Sequence, residues 1–457
     1  MEETETVDQS WTYQREGAAT SAGAVPGLLA LFSGTEAMQL GIPLRESRVL
    51  GRGDIGGVPL DDPRMSRRHA EVMFDGARWH IHDLGSRNGT FLDGEPVEGR
   101  VVTNKARVLR VGGTLFGLLS DLRPYQRSVM EGQEGMVLGA RMQRQWEQIA
   151  LAARTGDMLH ITGESGSGKE AAARHFHRSS TRGQGPFVAV NCASIPPLLA
   201  ERLLFGARKG AYSGADADAE GYVQAAQGGT LFLDEIAELD LSVQAKLLRV
   251  VESKEVLALG ATRPRKVEFG LCSATNQDLR GRVATGKFRA DLFFRIGRPA
   301  VALPPLRDRI EDIPWIMQGQ LRKLGSLGLH PSLVEQALVR PWPGNVRELI
   351  VELRDAATAA MARKSPRVEA CDLRPDAGTS FTPETLPARP APAVSGGEDP
   401  VLTALRRERG NVSRAARALG WHRTQLRRWL TKHNIDPRQL GADDSRHDGA
   451  DSPLEND

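Results

Sequence analysis

A glycine-rich stretch at 158–170, MLHITGESGSGKE, holds the residues with the clearest chemistry in this sequence. Glycines adopt backbone conformations that a Cβ disfavours, so successive N–H groups can turn inward around a phosphate chain. A lysine adds positive charge, and the helix expected to begin there offers free N–H groups to an anion. A plain Gly/Ser-rich turn is the alternative, but an expected strand before it and a helix after it favour a nucleotide site. The predicted site consists of Gly163, Glu164, Ser165, Gly166, Ser167, Gly168, Lys169 and Glu170.

A pair of carboxylates, Asp234 and Glu235, follows the apolar run TLFL. The spacing from Gly163 to Lys169 fits the phosphate-loop pattern G-x-x-x-x-G-K, but Glu170 replaces the Ser or Thr whose hydroxyl would bind Mg²⁺. Parallel strands end at one edge of a sheet, so we expect Asp234 to hold Mg²⁺ beside this loop. Glu235 would orient or deprotonate the water that attacks ATP. An isolated Asp-Glu pair could instead cap a helix.

The elements that position these residues follow from the pattern of apolar residues. Apolar runs that alternate with helical periodicity between 136 and 368 predict an α/β core with a parallel sheet, whose strands are MLHIT, FVAV, TLFLD and FGLCSA. Short alternating runs between 25 and 120, separated by Gly, Asp and Pro, predict a β-sandwich. Helical periodicity resumes after 400 and predicts a small all-α module.

We therefore expect a multidomain chain. Its predicted parts are a disordered N-terminus at 1–24, the sandwich at 25–120, a connector at 121–135, the α/β part of the core at 136–300, a helical lid at 301–368, a linker at 369–399, the helical module at 400–438 and an acidic disordered tail at 439–457.

Composition narrows the class of protein. Hydrophobic residues make up 40% and charged residues 26% of the chain, as in soluble globular proteins. The 3 cysteines lie far apart, so neither a disulfide framework nor a zinc motif is indicated. The sequence contains no apolar run of about 18 residues and begins with an acidic segment, so we expect a cytoplasmic protein without a membrane partner.

Three loops of the predicted sandwich carry a specific pattern: Gly51-Arg52, Ser66-Arg67-Arg68-His69 and Gly85-Ser86-Arg87-Asn88-Gly89-Thr90. They resemble the loops of a forkhead-associated (FHA) domain. The resemblance implies binding to a phosphothreonine-containing protein, with Arg52, Ser66 and Arg67 on the phosphate and Asn88 on the peptide backbone. Such charge-assisted donors suit a phosphate dianion. Arg87 stands in place of the usual Thr, where it either adds charge or crowds the phosphate. Basic residues on a solvated edge are the alternative.

A series of motifs in the predicted core occurs in a characteristic order: GESGSGKE, FVAVNCAS, LLFGARKGAYSGA, GGTLFLDEIAEL, QAKLLRVVE, SATNQDL, FRADLFFRI and WPGNVREL. Together they resemble the AAA+ domain of bacterial enhancer-binding proteins, which activate sigma-54 RNA polymerase. The resemblance implies that Asn191 is a switch residue that holds the catalytic Glu235. It further implies that Thr275 and Asn276 form the first nucleotide sensor and Arg347 the second.

Two arginines, Arg289 and Arg295, resemble the arginine fingers of that family. Such a residue reaches the nucleotide of a neighbouring subunit and stabilises charge that develops on the γ-phosphate, which makes hydrolysis depend on assembly. The resemblance therefore implies a ring of identical chains, expected to be a hexamer. Surface ion pairing is the alternative role for both side chains.

The segment GAYSGA stands where the family has GAFTGA, the loop that contacts the sigma factor. Tyr212 keeps an aromatic ring and Ser213 keeps a hydroxyl, so the contact chemistry is preserved while its fit changes. Gln224 replaces the Glu that is usual after this loop. A flexible loop without a partner is the alternative. The implied sigma-factor contacts are Gly210, Ala211, Tyr212, Ser213, Gly214 and Ala215.

The helical module carries ten Lys and Arg but two Asp and Glu between 400 and 438. Its pattern predicts a helix-turn-helix with Gly420 at the turn and with Leu426 and Leu430 anchoring the second helix. It resembles the Fis-type module of the same family, which implies binding to double-stranded DNA upstream of promoters. A merely solvated basic helix is the alternative. The predicted DNA contacts are His422, Arg423, Thr424, Gln425, Arg427 and Arg428.

These expectations combine into an ATP-dependent transcription activator that remodels sigma-54 polymerase under phosphothreonine control. A DNA-binding regulator whose ATPase serves assembly only remains open, because the GAYSGA loop departs from the family pattern. A general AAA+ unfoldase is disfavoured by the DNA-binding module.

Overall fold

The structure is a computed structural model. It describes residues 23–54, 59–132, 136–213, 215–325, 327–380, 400–408 and 411–418, together with Leu426 and Leu430. It consists of two units, Met1–Phe381 and Thr382–Asp457. Among the helices in these ranges, none is both long and apolar enough to cross a membrane.

Two antiparallel sheets form the N-terminal β-sandwich, as the alternating runs predict. One sheet has the order β2-β1-β12-β11-β8-β9 and the other β10-β7-β6-β3, and their facing apolar side chains make one core. The strands β1 to β12 are Gly27–Ser33, Glu36–Pro43, Arg48–Leu50, Gly53–Asp54, Pro59–Leu60, Ala70–Phe74, Trp79–Asp83, Thr90–Leu92, Glu95–Pro96, Arg100–Thr103, Val108–Val111 and Thr114–Leu119.

The α/β core contains a parallel sheet with the order β16-β17-β20-β15-β21. The four strands read from the sequence are present, which confirms the predicted fold class, and Ala300–Ala302 adds a fifth strand. The strands that follow the sandwich, β13 to β23, are Met130–Glu131, Val137–Leu138, Met158–Thr162, Phe187–Asn191, Thr230–Asp234, Glu255–Val256, Arg265–Lys266, Gly270–Thr275, Ala300–Ala302, Gly328–Leu329 and Arg367–Val368.

Helices cover this sheet and form the lid. Those of the core, α1 to α7, are Ala140–Thr155, Lys169–Ser179, Pro197–Phe205, Tyr222–Ala225, Leu241–Ser253, Leu279–Ala284 and Ala290–Ile296. The lid contains α8, α9 and α10, which are Asp312–Leu324, Pro331–Val339 and Asn345–Ala362.

The lid extends beyond its expected end. Residues 369–380, which the sequence assigns to the linker, pack against it. Arg374 forms an ion pair with Glu352 of α10, and the Gly378 carbonyl accepts a hydrogen bond of 3.0 Å from the Trp342 N–H. Leu373 and Ala377 are buried in the same hydrophobic cluster as α10.

The second unit is described in part. Its helices α11 and α12 are Pro400–Arg407 and Val412–Ala418. Leu405 and Ala416 share a small core with Leu426 and Leu430, which are buried as the sequence predicts. Gly420 and the six predicted DNA contacts lie outside the described residues.

Candidate functional site

The glycine-rich stretch forms a loop between β15 and α2. Gly166 and Gly168 have φ angles of +73° and +109°, which residues with a Cβ rarely adopt. Gly163 is needed for space, because a Cβ there would lie 2.9 Å from Ser167 Oγ. A Cβ on Gly166 would lie 2.2 Å from the Gly344 carbonyl oxygen, so the loop directly abuts the lid.

Lys169 and Glu235 meet at the edge of the sheet. The Lys169 side chain is 7% exposed, and its Nζ lies 3.2 Å from Glu235 Oε1 and 3.1 Å from the Gly163 carbonyl oxygen. Glu235 follows β17 with a φ of +51°, an uncommon conformation for a residue other than glycine. The Asn276 N–H donates 3.2 Å to Glu235 Oε2. Two other segments of the chain, at Lys169 and Asn276, therefore hold this carboxylate.

Asp234, at the end of β17, is half-buried. Burial raises the pKa of its carboxyl group, and the charge of Lys169 opposes that rise. Its Oδ1 accepts a hydrogen bond of 3.1 Å from the Glu235 N–H. Asp234 and Glu235 both line the same cavity as the glycine-rich loop. A carboxylate in this position suits Mg²⁺, which prefers oxygen ligands.

Lid residues hold Glu164 of the loop. Arg307 donates to both carboxylate oxygens, at 2.9 and 2.6 Å, and Asn345 Nδ2 donates 3.1 Å to Oε2. Burial raises the pKa of Glu164, but the Arg307 and Asn345 donors outweigh it and hold the pKa below its usual range. Arg347 Nη1 lies 3.0 Å from Ser165 Oγ. Sequence reasoning identified Arg347 but missed Arg307 and Asn345, although Asn345 lies in the WPGNVREL motif.

The resulting cavity has a volume of about 1070 Å³. Ser167, 1% exposed, has an Oγ atom without a hydrogen-bond partner among the described residues. Such a buried hydroxyl needs a partner, and a phosphate oxygen would supply one. The glycine-rich loop, Lys169 and Ser167 therefore fit the phosphates of ATP, and Asp234 fits Mg²⁺.

Other predicted nucleotide residues lie nearby with partners of their own. Asn191 lines the cavity, but within the described chain its Oδ1 accepts 2.9 Å from the Ala193 N–H, and no bond joins it to Glu235. Glu170 Oε1 accepts 2.8 Å from Arg174 Nη2, one turn along α2. Thr275 is buried, and its Oγ1 accepts 3.0 Å from the Gln277 N–H.

The two predicted arginine fingers lie outside the cavity of their own chain. Arg289 directly precedes α7 and is partly exposed, Arg295 is exposed near the end of α7, and neither lines the cavity. Arg289 Nη2 donates 2.7 Å to Asp291 Oδ2, and both side chains are exposed. A pair this exposed is weak, so Arg289 can exchange Asp291 for another anion.

The segment 210–215 forms a tight turn on the core. The Gly210 N–H donates 2.9 Å to the Ala215 carbonyl, and the Arg202 guanidinium lies 5.2 Å from the centre of the Tyr212 ring. Ser213 is exposed. A Cβ on Gly260 would lie 2.9 Å from the Ala211 Cβ, so this turn packs closely on Gly260, whereas Gly214 lies outside the described residues.

Gln224 braces the base of this turn. Its Oε1 accepts 3.0 Å from the Gly221 N–H, and its Nε2 donates 2.6 Å to the Phe205 carbonyl. The side chain is 8% exposed. An acidic residue could accept the first bond but could not donate the second unless it were protonated.

In the sandwich, the predicted phosphate-binding loops come together. The Arg52 N–H donates 2.9 Å to the Ser66 carbonyl, and the Arg87 N–H donates 3.2 Å to Ser66 Oγ. His69 Nδ1 accepts 3.1 Å from the Ser66 N–H, which leaves its Nε2 to donate 3.0 Å to the Gly89 carbonyl. The side chains of Arg52, Arg67, Arg87 and Asn88 are exposed around Ser66.

Comparison with known proteins bears on this arrangement. Three family models match the chain: the Sigma-54 interaction domain over residues 137–302, the FHA domain over 48–112, and the Fis family of bacterial regulatory proteins over 401–433. They match the core, the sandwich and the C-terminal module respectively.

Several curated proteins are similar. The DNA-binding transcriptional regulator NtrC of Klebsiella pneumoniae is 40% identical over 324 residues, which are 65% of this chain and 69% of that protein. The transcriptional regulatory protein XylR of Pseudomonas putida is 39% identical over 315 residues, 64% of this chain and 55% of that protein. The chain spans between 38% and 62% of the length of XylR and three other relatives.

A solved structure of NtrX from Brucella abortus in complex with ATP is 29% identical to this chain. The match covers 67% of this chain and 70% of the NtrX chain, with a TM-score of 0.49.

Proposed function

Because this chain belongs to the sigma-54-dependent transcriptional regulators, with an AAA+ P-loop NTPase domain and a Fis-type DNA-binding module, we propose that it hydrolyses ATP to remodel sigma-54 RNA polymerase at promoters. The observation that carries the proposal is the meeting of Lys169, Asp234 and Glu235 at one cavity. The lid residues Arg307 and Arg347 contact the phosphate loop, and Arg347 lines that same cavity.

Lys169, Glu235 and Asp234 have separate roles in hydrolysis. Lys169 now pairs with Glu235, and the phosphates of ATP compete for its charge. Glu235 is then free to take a proton from the attacking water, whose oxygen forms a bond to the γ-phosphorus as the bond to the bridging oxygen breaks. Asp234 would hold Mg²⁺, which neutralises charge on the phosphates.

Assembly completes the site. Arg289 just before α7 is partly exposed and Arg295 on α7 is exposed, and both are absent from the lining of their own cavity, so they are available to a neighbouring chain. A ring of identical chains, which we expect to be a hexamer, places such an arginine on the γ-phosphate of the next subunit. Asn191 and the Thr275-Asn276 pair would report the nucleotide state to Glu235.

The loop at 210–215 couples hydrolysis to the polymerase. Its exposed Tyr212 and Ser213 present a ring and a hydroxyl on a turn braced by Gln224. The Fis-type module positions the ring upstream of the promoter through the predicted contacts of residues between 422 and 428 with double-stranded DNA. The FHA domain adds control, because the loops that carry Arg52, Ser66 and Arg67 come together and offer these side chains as donors for a phosphothreonine.

ATP turnover by two variants tests the nucleotide part of this proposal. Lys169→Ala should abolish ATP binding, whereas Glu235→Gln should retain binding and lose hydrolysis. Equilibrium binding of a fluorescent ATP analogue and phosphate release, measured on the same preparations, separate these outcomes. Normal turnover by Glu235→Gln would show that another group activates the water.

A further inference from the structure

The FHA domain packs against the ATPase lid of its own chain. Leu31 of β1 and Leu115 of β12 belong to the same buried cluster as Ile313 of α8 and Val334 of α9. An FHA sheet face that is part of the lid core cannot separate from the lid without exposing buried apolar surface to water. Small shifts at this boundary expose little surface, so polar contacts there can still set the relative position.

A largely buried ion pair reinforces this contact. Arg110 of β11 lies 2.7 Å from Glu335 of α9, and the side chains are 17% and 4% exposed. The Arg110 guanidinium also stacks 3.7 Å from the centre of the Phe91 ring. Burying a charged side chain without a charged partner is costly, so the Arg110–Glu335 pair favours one relative position of the sheet and α9.

The loop that carries Ser66 is fixed to the same sheet. Asp62 is buried, and its Oδ2 accepts 2.7 Å from the Gly113 N–H and 3.0 Å from Thr114 Oγ1. Its Oδ1 accepts 3.0 Å from the Arg64 N–H. The phosphate-binding loop is therefore held at the sheet edge that contacts the lid.

Arg64 contacts both the FHA domain and the lid. Its carbonyl accepts 2.6 Å from Asn88 Nδ2, and its Nη1 lies 3.0 Å from Nε2 of His330, which precedes α9. A guanidinium only donates, so His330 Nε2 accepts in this contact. Nδ1 then carries the imidazole proton and donates to Ser332 Oγ, 2.8 Å away, and it does not accept the Ser332 N–H that lies 3.2 Å from it. The contact requires a neutral His330, and burial together with Arg64 lowers its pKa.

A second contact leads from the sandwich to the nucleotide loop. Arg107 donates a hydrogen bond to the Arg307 carbonyl. The guanidinium of Arg307 holds Glu164 of the phosphate loop with two bonds, of 2.9 and 2.6 Å. A change in how the sandwich sits on the lid therefore acts on a residue that grips the nucleotide site.

We propose that Arg64 couples phosphopeptide binding to nucleotide affinity: a phosphothreonine ligand draws Arg64 from His330, loosens the lid and weakens nucleotide binding. The inference rests on the proposed phosphothreonine function. A phosphate dianion at Ser66 and Arg67 attracts the guanidinium two residues away, and a peptide at Asn88 acts on the group that fixes the Arg64 carbonyl. Both effects act on the residue that joins the loop to α9.

The test uses the full-length chain and a peptide pool with a central phosphothreonine and randomised flanks; the unphosphorylated pool is the control. Saturating phosphorylated pool should weaken the binding of fluorescent ADP by about fivefold or more, the range of ordinary coupling energies. His330→Asn should bind the pool as the parent does but show no such change, because the Asn side chain can accept the Ser332 N–H at the start of α9 yet is too short to reach Arg64. Arg64→Ala should behave similarly.

Arg100→Ala is the matched control, because Arg100 is an exposed arginine on β10 of the other sheet. The phosphorylated pool should weaken ADP binding to this variant as much as it does to the parent. If the pool binds and ADP affinity is unchanged or tightened, the coupling is refuted while phosphothreonine reading stands. Equal coupling in His330→Asn and the parent also refutes it. If the pool does not bind the parent, phosphothreonine reading fails and the coupling fails with it.

Discussion

Arg307 of the lid and Glu164 of the phosphate loop form a two-bond pair, with nitrogen to oxygen distances of 2.9 and 2.6 Å. A planar guanidinium that meets both oxygens of a carboxylate fixes orientation as well as distance. Because the two residues belong to different subdomains, the pair sets the position of the lid over the cavity. Lid position and nucleotide affinity should therefore change together.

Arg307→Gln should weaken ADP binding. The substitution leaves Glu164 with fewer donors. Because both side chains are about one-third exposed, the pair contributes about 1 kcal/mol, which corresponds to roughly a fivefold loss of affinity. Titration with fluorescent ADP measures this loss of affinity. Arg263→Gln changes an exposed arginine of the α/β core and should bind ADP as the parent does. Equal affinities in the Arg307 variant and the parent would show that the pair does not position the lid.

Mixing two inactive variants should restore ATP hydrolysis. Arg289→Ala should lower turnover by about a thousandfold, as expected for an arginine finger, and Lys169→Ala should abolish it. In a mixed ring, about a quarter of the interfaces combine an intact lysine site with an intact arginine of the next chain. Phosphate release should therefore recover on mixing.

The control for this experiment is each variant mixed with itself. Lack of recovery in rings that demonstrably contain both variants would mean that Arg289 acts within its own chain or only structurally.

Gln224→Glu should destabilise the base of the 210–215 turn. The carboxylate cannot donate to the Phe205 carbonyl, now 2.6 Å from Gln224 Nε2, and a buried unsatisfied group costs about 1–3 kcal/mol. Faster hydrogen exchange between 205 and 222 is the expected result. Because protonation restores the donor, the defect should shrink as pH falls. A variant with parental exchange rates would show that this amide does not brace the turn.

Arg110→Ala should weaken the FHA–lid contact in a pH-dependent way. Burial raises the pKa of Glu335, and Arg110 opposes that rise, so removing Arg110 should raise the pKa further. A carboxyl whose folded pKa exceeds its unfolded pKa loses folding stability as pH rises between the two values. The loss, roughly 3–5 kcal/mol when the carboxylate is fully charged, should be larger at about pH 8 than at about pH 5.

Thermal unfolding at both pH values measures this loss. Arg110→Ala combined with Glu335→Gln should remove the pH dependence, since no buried charge remains. A pH-independent defect in the single variant would show that Glu335 is not the group left uncompensated.

The sequence predicts local geometry well. Glycine spacing located the phosphate loop, and apolar runs located the strands that deliver Asp234 and Glu235 to it. The reason is that backbone conformation and the alternation of buried residues depend on near neighbours. For Gly163 the pattern suggested a special conformation, whereas the structure shows a need for space.

Contacts between subdomains were not foreseen. Arg64 and His330 lie 266 residues apart, and Arg110 and Glu335 lie 225 apart. Each of these residues resembles an ordinary surface residue in sequence, because charge patterns carry no information about which distant face will cover them. The Arg307–Glu164 contact is likewise not predictable from sequence, because Glu164 belongs to a motif that predicts phosphate binding only.

Reconstituted promoter opening tests the central claim, that ATP hydrolysis by this chain remodels sigma-54 polymerase through the 210–215 loop. The parent should open a sigma-54 promoter in the presence of ATP, and Glu235→Gln should not. Ser213→Ala should hydrolyse ATP normally but open the promoter poorly, because each copy in a ring loses a hydroxyl contact, whereas Ser213→Thr should retain opening. If the parent hydrolyses ATP but never opens the promoter, or if Ser213→Ala opens it fully, the account is contradicted and an ATPase that serves assembly only takes its place.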